Sequence, residues 1–143
     1  MIAEFYPGFA VYRNPAPKKG LVFIMPHSGP ALEVPTSRDD NAETVASLCA
    51  RNSGGHMVVS GISRKVTWGI DFNRTVPDQE ESIGHYPLFI EDVEQEKLKK
   101  YRNAFAWSAE DAGDHNRRLR IYRQFWSRVR NLGSFYVLMH RKL

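Results

Sequence analysis

Leu21-Val22-Phe23-Ile24-Met25-Pro26-His27-Ser28-Gly29 is the stretch on which the fold turns. Five consecutive apolar residues read as a strand buried on both faces, as in a parallel sheet. Pro26 ends the run, because proline lacks the N–H that a central strand needs. The loop from His27 to Arg38 contains Gly29, Pro30 and Pro35. Asp39 or Asp40 then caps a helix running to about Arg51, with Glu43 three residues after Asp40 as in a capping box. Ala42, Val45, Leu48 and Cys49 form its apolar stripe. Gly54-Gly55 ends it, and His56-Met57-Val58-Val59-Ser60 is the next strand. Strand, loop, helix, strand is a βαβ unit, and it predicts a partly parallel sheet.

Working outward, Phe9-Ala10-Val11-Tyr12-Arg13 reads as a short strand, and Asn14 to Gly20 as a turn rich in proline and glycine. Gly61 to Lys65 forms a turn, Val66 to Phe72 has short-strand character, and Thr75 to Pro87 reads as polar loop. A helix is expected from Glu91 to about Phe105, acidic at its start and lysine-rich at its end. Asp114 caps a second one to Leu132, with Leu119, Tyr122, Phe125, Trp126 and Val129 as its apolar stripe. After Gly133, Phe135-Tyr136-Val137-Leu138-Met139 is another buried-strand run, ending at His140. The expected fold is α/β: one three-layer sandwich over 1–143 around a central mixed, largely parallel sheet.

The chain has 143 residues, enough for one domain with a sizeable core, and its 42% hydrophobic and 25% charged residues are in the globular range. No stretch has the length and apolarity of a membrane span, and no leader-like N-terminus is evident, so a cytoplasmic protein without a membrane partner is expected. Cys49 is the one cysteine, which excludes an internal disulfide and a cysteine-rich zinc site. Any metal must use histidine and carboxylate. The net charge of +4 is concentrated in the C-terminal part, notably at Arg117, Arg118, Arg120, Arg123, Arg128 and Arg130. A nucleic-acid partner for the 117–130 helix is a remote reading, since its aromatics at helical spacing read as core.

Two apolar strands each deliver a histidine at the C-terminal end, His27 and His140. Ligands of open α/β sheets bind outside the carboxyl ends of strands. Two imidazoles and one carboxylate make a catalytic zinc shell with an open position. Arg64, after Ser63, and Asp71-Phe72-Asn73-Arg74 gather two guanidiniums, a carboxylate and an amide, a set suited to binding a substrate carboxylate. Each has a plainer reading: Asp40 and Glu43 as helix caps, the arginines as structural ion pairs, His27 as a loop-stabilising histidine. Ser28 lacks the Gly-x-Ser-x-Gly elbow of a nucleophile.

Pro26-His27-Ser28-Gly29, Pro35, the acidic helix start, Ser63-Arg64, Asp71-Phe72-Asn73-Arg74 and a later strand ending in His140 together resemble the N-formylglutamate amidohydrolase family. That family belongs with the zinc carboxypeptidase and aspartoacylase-like (phosphorylase/hydrolase-like) folds. The resemblance implies one zinc ion held by His27, a carboxylate from Asp39, Asp40 or Glu43 (Glu43 or Asp40 favoured) and His140. It implies substrate binding by Arg64, Asn73, Arg74 and Ser28, with Asp71 holding an arginine. The implied reaction is hydrolysis of the amide of N-formylglutamate or a related N-acyl amino acid. After His140 the family continues into a part that supplies its glutamate base, and this chain resembles a short or C-terminally incomplete member. A homo-oligomer or a completing chain would then restore the site; otherwise a weakly active or inactive ligand-binding module of the same fold is expected.

Overall fold

A computed structural model describes residues 1–18, 20–29, 39–62, 69–90 and 108–140, the side chains of 88–90 excepted. It has strands β1 (Ile2–Tyr6), β2 (Phe9–Arg13), β3 (Leu21–Met25), β4 (His56–Ser60) and β5 (Phe135–Leu138). The helices among the described residues are α1 (Ala42–Ser53), α2 (Gln79–Ile90) and α3 (Ala112–Leu132). The strands form one mixed sheet in the order β1-β2-β4-β3-β5. β3 is parallel to both β4 and β5, whereas β2 runs antiparallel to β1 and β4.

Alternation along β3 builds the three layers. Val22 and Ile24 point to one face, where Phe125, Val129 and Leu132 of α3 meet them. Phe23 and Met25 point to the other, against Ala42, Ala46 and Ala50 of α1. Val22, Ile24 and Met25 are fully buried, as the unbroken apolar run predicts. On the α3 side an aromatic stack fills the core: Phe72 lies on Phe125 with centroids 4.1 Å apart, and Phe9 meets Phe125 edge-on at 5.3 Å.

Several expectations change. The buried stripe of α1 is Ala42, Ala46 and Ala50, while Val45 and Leu48 are exposed. Small residues let α1 lie close on the sheet, so the helix is turned away from its larger apolar side chains. Cys49 packs at the edge of that cluster, half-buried. Gln79–Ile90 is helical where loop is expected: the Asp78 carboxylate accepts the Glu81 N–H at 2.8 Å and starts α2. Asp111, not Asp114, caps α3 by accepting the Asp114 N–H at 2.8 Å. Residues 69–72 are not a strand. The expected helix over 91–105 lies outside the described residues, and β1 has no counterpart in the sequence reading.

β5 pairs with β3, yet Phe135, Tyr136 and Leu138 are exposed, because β5 is the edge strand of the described sheet. Its start is pinned by the Ser134 and Phe135 N–H groups, which both donate to the Gly20 carbonyl. Gly133 passes so near Gly20 that a Cβ there would overlap the Gly20 backbone. His56 is a structural residue. It is buried at the start of β4, and its Nδ1 accepts the Asn14 N–H at 3.1 Å. Burial, with a smaller contribution from Arg13, pushes its pKa below the ordinary 6.5, in keeping with an acceptor nitrogen.

Candidate metal centre

The chain order reverses at β3. From β3 it passes through α1 to β4 on one side, while β5 lies on the other side of β3, with α3 on the opposite face from α1. Such a switch point leaves a crevice at the carboxyl ends of the strands. His27 follows β3 there, and His140 follows β5. Alignment of the two strands is kept to the end by the Met139 N–H, which donates to the Ile24 carbonyl at 2.9 Å. The imidazole centroids are 4.9 Å apart.

Asp39 supplies the carboxylate. Its N–H donates to the His27 carbonyl at 3.0 Å, tying the entry of α1 to the end of β3. Its Oδ2 lies 3.2 Å from His27 Nδ1 and 3.0 Å from His140 Nδ1. One donor atom from each of His27, Asp39 and His140 lies within 4.8 Å of those of the other two. Tetrahedral ligands at zinc distances are about 3.3 Å apart, so both measured edges suit one zinc-sized ion. Three protein ligands would leave the fourth position open. The residue that meets the histidines is therefore Asp39, rather than Asp40 or Glu43. Asp40 is exposed, and Glu43 sits in the first turn of α1, where it lines cavities beside that helix. Nor does Asp39 cap α1: the N-cap is Asn41, in a left-handed conformation with no side-chain cap bond.

The hydrogen-bond arithmetic around His27 points the same way. Nε2 faces Asp71 Oδ1 at 2.7 Å while Nδ1 faces Asp39, and both carboxylates are buried. A neutral imidazole carries one N–H. With that proton given to Asp71, a lone pair on Nδ1 faces an anionic oxygen, and a proton or cation belongs between them. The arrangement is that of a carboxylate orienting a metal-binding histidine from behind. At His140, Nε2 lies 3.4 Å from the Asn73 amide. Turning that amide over lets its oxygen accept Nε2–H and frees Nδ1 for a metal, since amide orientation is assigned from the partners.

Asp71, expected to hold Arg74 or Arg64, stands beside Arg74 and also meets His27. It accepts from His27 Nε2 and from the Asn73 N–H (2.9 Å), while Arg74 Nε stands 3.7 Å from its other oxygen. The segment that carries Asp71 is clamped from α3 on both sides. Arg118 Nη1 donates to the Gly69 carbonyl and Trp126 Nε1–H to the Phe72 carbonyl, each at 3.0 Å. Neither residue stands out in the sequence, where one reads as outer-face charge and the other as core. Asp71→Asn is expected to weaken divalent-metal affinity by about 10–100-fold while leaving the melting temperature close to the parent's. Isothermal titration with zinc checks this, and unchanged affinity would remove Asp71 from the site.

Arg74 is half-exposed and, with Thr75, Glu81 and His85, lines a hollow of about 280 Å³. Arg64 lies outside the described residues. Ser28 is buried, and its Oγ has no partner among the described residues. A cavity of about 610 Å³ lies between α1 and the sheet, lined by Tyr12, Leu48 and Met57 among others. On α3 the aromatics face the core, Arg117 pairs with Asp114, and Arg128 lies over the Tyr6 ring at 4.8 Å. The aromatics of α3 are thus taken up by packing. No described helix is long and apolar enough to cross a membrane.

Comparison with protein-family models, with curated proteins and with solved structures finds no match for this chain. Fold and site by themselves define an α/β sandwich with a three-donor centre, able to hold a divalent ion, at its switch point.

Proposed function

We propose that this chain is a divalent-metal-dependent amidohydrolase of small N-acyl amino acids, of the N-formylglutamate type. The observation that carries the proposal is the convergence of His27, Asp39 and His140 at the carboxyl ends of β3 and β5, with Asp71 behind His27. The substrate class rests on the ordered set Pro26-His27-Ser28-Gly29, Asp71-Phe72-Asn73-Arg74 and His140, which resembles that family. Imidazole and carboxylate donors suit zinc. When bound, a divalent ion supplies Lewis acidity, polarising an acyl carbonyl and lowering the pKa of water to about 7.

The chain's own residues do the rest. Asp71 fixes the tautomer of His27 and, through the Asn73 N–H, the turn that presents Asn73 and Arg74. Arg74 receives the substrate carboxylate as a bidentate partner, which orients as well as binds. The two carboxylates nearest the histidines are both engaged in holding them. Without a further carboxylate acting as base, turnover about 10²–10⁴-fold below that of a fully equipped hydrolase is expected.

Metal analysis with an assay of formate release from N-formylglutamate tests the proposal. Arg74→Ala is expected to raise KM by about 10–100-fold, the worth of a charge-assisted pair, with metal content intact. An unchanged KM would sink the carboxylate pocket. Protein that holds no zinc would remove the metal centre, and zinc bound without hydrolysis of any N-acyl amino acid would make the chain a binding module.

A further inference from the structure

A further cavity, about 430 Å³, opens beside the candidate metal centre. Ser28 and Gly29, directly after His27, form one wall of it; Gly61, after β4, forms another; Tyr6, Tyr12 and Val59 are among its side chains. It lies along the same strand-end edge of the sheet as His27, toward β4 and β2, whereas His140 lies toward β5. We infer that this cavity receives the acyl group of the substrate, and that the acyl group is larger than formyl: an aliphatic or aromatic chain without charge. The inference rests on the amidohydrolase reading and deepens it.

Three observations carry it. The first is size. A water molecule occupies about 30 Å³ of liquid, and a formyl group is of that order, so formyl would leave most of the cavity empty. Cavities that bury small ligands start at about 300 Å³. The second is chemistry. Aromatic and aliphatic side chains and glycines make up most of the wall; the charged residue among the described lining residues is Glu43, and no lysine or arginine is among them. A carboxylate placed there would meet the Glu43 carboxylate with no cation among the described lining residues, which is unfavourable. An acidic side chain therefore has its place at Arg74, and the uncharged end of the substrate here. The third is Ser28. It is more than nine-tenths buried, and its Oγ has no partner among the described residues although it stands in the cavity wall. Buried hydroxyls are rarely left so, and the carbonyl or N–H of an acylamide beside His27 supplies the missing hydrogen bond.

The test compares ligands that differ only in the acyl group. N-formyl-glutamate and N-phenylacetyl-glutamate are titrated into the purified chain by calorimetry, with and without zinc. Phenylacetyl-glutamate is expected to bind at least tenfold more tightly, since each buried methylene-sized increment strengthens binding severalfold. Gly61 tolerates a side chain, its built Cβ being in ordinary contact with the Gly8 carbonyl oxygen at 3.7 Å. In Gly61→Leu the preference for phenylacetyl over formyl is expected to shrink at least tenfold. Equal affinity of the two ligands for the parent chain, a result that needs no variant, overturns the inference. So does a preference that Gly61→Leu leaves untouched in a normally folded protein. Failure of the underlying reading looks different: tight phenylacetyl-glutamate binding with no zinc and no hydrolysis keeps the cavity assignment and removes the hydrolase. Hydrolysis of formylglutamate with no gain from phenylacetyl does the reverse.

Discussion

Asp39→Ala protein is expected to emerge from purification without stoichiometric zinc, while Asp40→Asn and Glu43→Gln keep the parent's metal content. The three acidic residues stand within five positions of one another, and only the first has an oxygen within 3.2 Å of both imidazoles. A structural zinc site contributes apparent binding free energies of about 10–16 kcal/mol from four ligands, or roughly 3 kcal/mol for each. Losing one of three should therefore weaken zinc binding by on the order of 100-fold or more. The two histidines that remain would be a weak pair. Elemental analysis of the purified variants, backed by competition with a chromogenic chelator, reads the effect directly. Zinc retained by Asp39→Ala, or lost from Glu43→Gln, would return the ligand role to the helix.

Arg118→Leu is expected to lower stability by about 3 kcal/mol, on the order of 10 °C in melting temperature. Arg118 is the largest fully buried side chain among the described residues. It grips Asp114 with two nitrogens, Nε to Oδ1 at 3.1 Å and Nη2 to Oδ2 at 2.7 Å, and sends Nη1 to the Gly69 carbonyl. Leucine fills part of the volume but leaves that carbonyl buried without its donor, a loss of about 1–3 kcal/mol by itself. Asp114 keeps Arg117 and the Glu110 N–H and is partly exposed, so the penalty stays at the low end of that for a broken buried pair. Burial alone would raise the Asp114 pKa, but the bonds from Arg118 and Arg117 outweigh it and hold the carboxyl below its ordinary 3.8. A depressed carboxylate adds stability above its unfolded pKa and loses it as pH falls through the folded one. The Arg118→Leu penalty should accordingly shrink below about pH 4. Arg118→Lys, which keeps the charge but not the fork, should recover only part of the loss. Urea titrations at pH 7 and pH 3 measure both terms; a penalty equal at the two pH values would contradict the account.

The β3-α1-β4 unit and α3 were legible because each writes its period plainly in the chain. An unbroken apolar pentad can hardly be placed except inside a parallel sheet, and Phe125 and Val129 recur at helical spacing. What escaped did so for physical reasons. Capping a helix and binding a metal ask for the same residue type at the same spot, so Asp39, Asp40 and Glu43 cannot be separated by composition. Backbone geometry decides, through the Asp39 N–H bond to the His27 carbonyl and the left-handed turn at Asn41. α2 carries Pro87 and lacks a clear apolar face, which hides a helix whose start, Asp78 to Glu81, has the spacing of a capping box. β5 has the composition of a central strand, and nothing local tells that its place is the edge. The Asp71 to His27 contact spans 44 positions, and sequence order alone does not show that a carboxylate beside a guanidinium also reaches an imidazole.

The parallel pairing of β3 with β5 also governs when the centre can exist. Asp39 and His140 are separated by 101 positions, so the third donor is in place only when the last described strand has docked on β3. Loop closure over such a span is slow compared with local structure. The half-site of His27 and Asp39 can form early with the βαβ unit, yet three-donor capture waits for docking of the sheet edge. A divalent ion that binds the finished chain and not the open one would act as a latch on β5, adding about 2.7 kcal/mol at a free concentration one hundred times the Kd. Hydrogen exchange along β5 would then be a gauge of occupancy, expected to slow as zinc is added and to quicken as it is withdrawn.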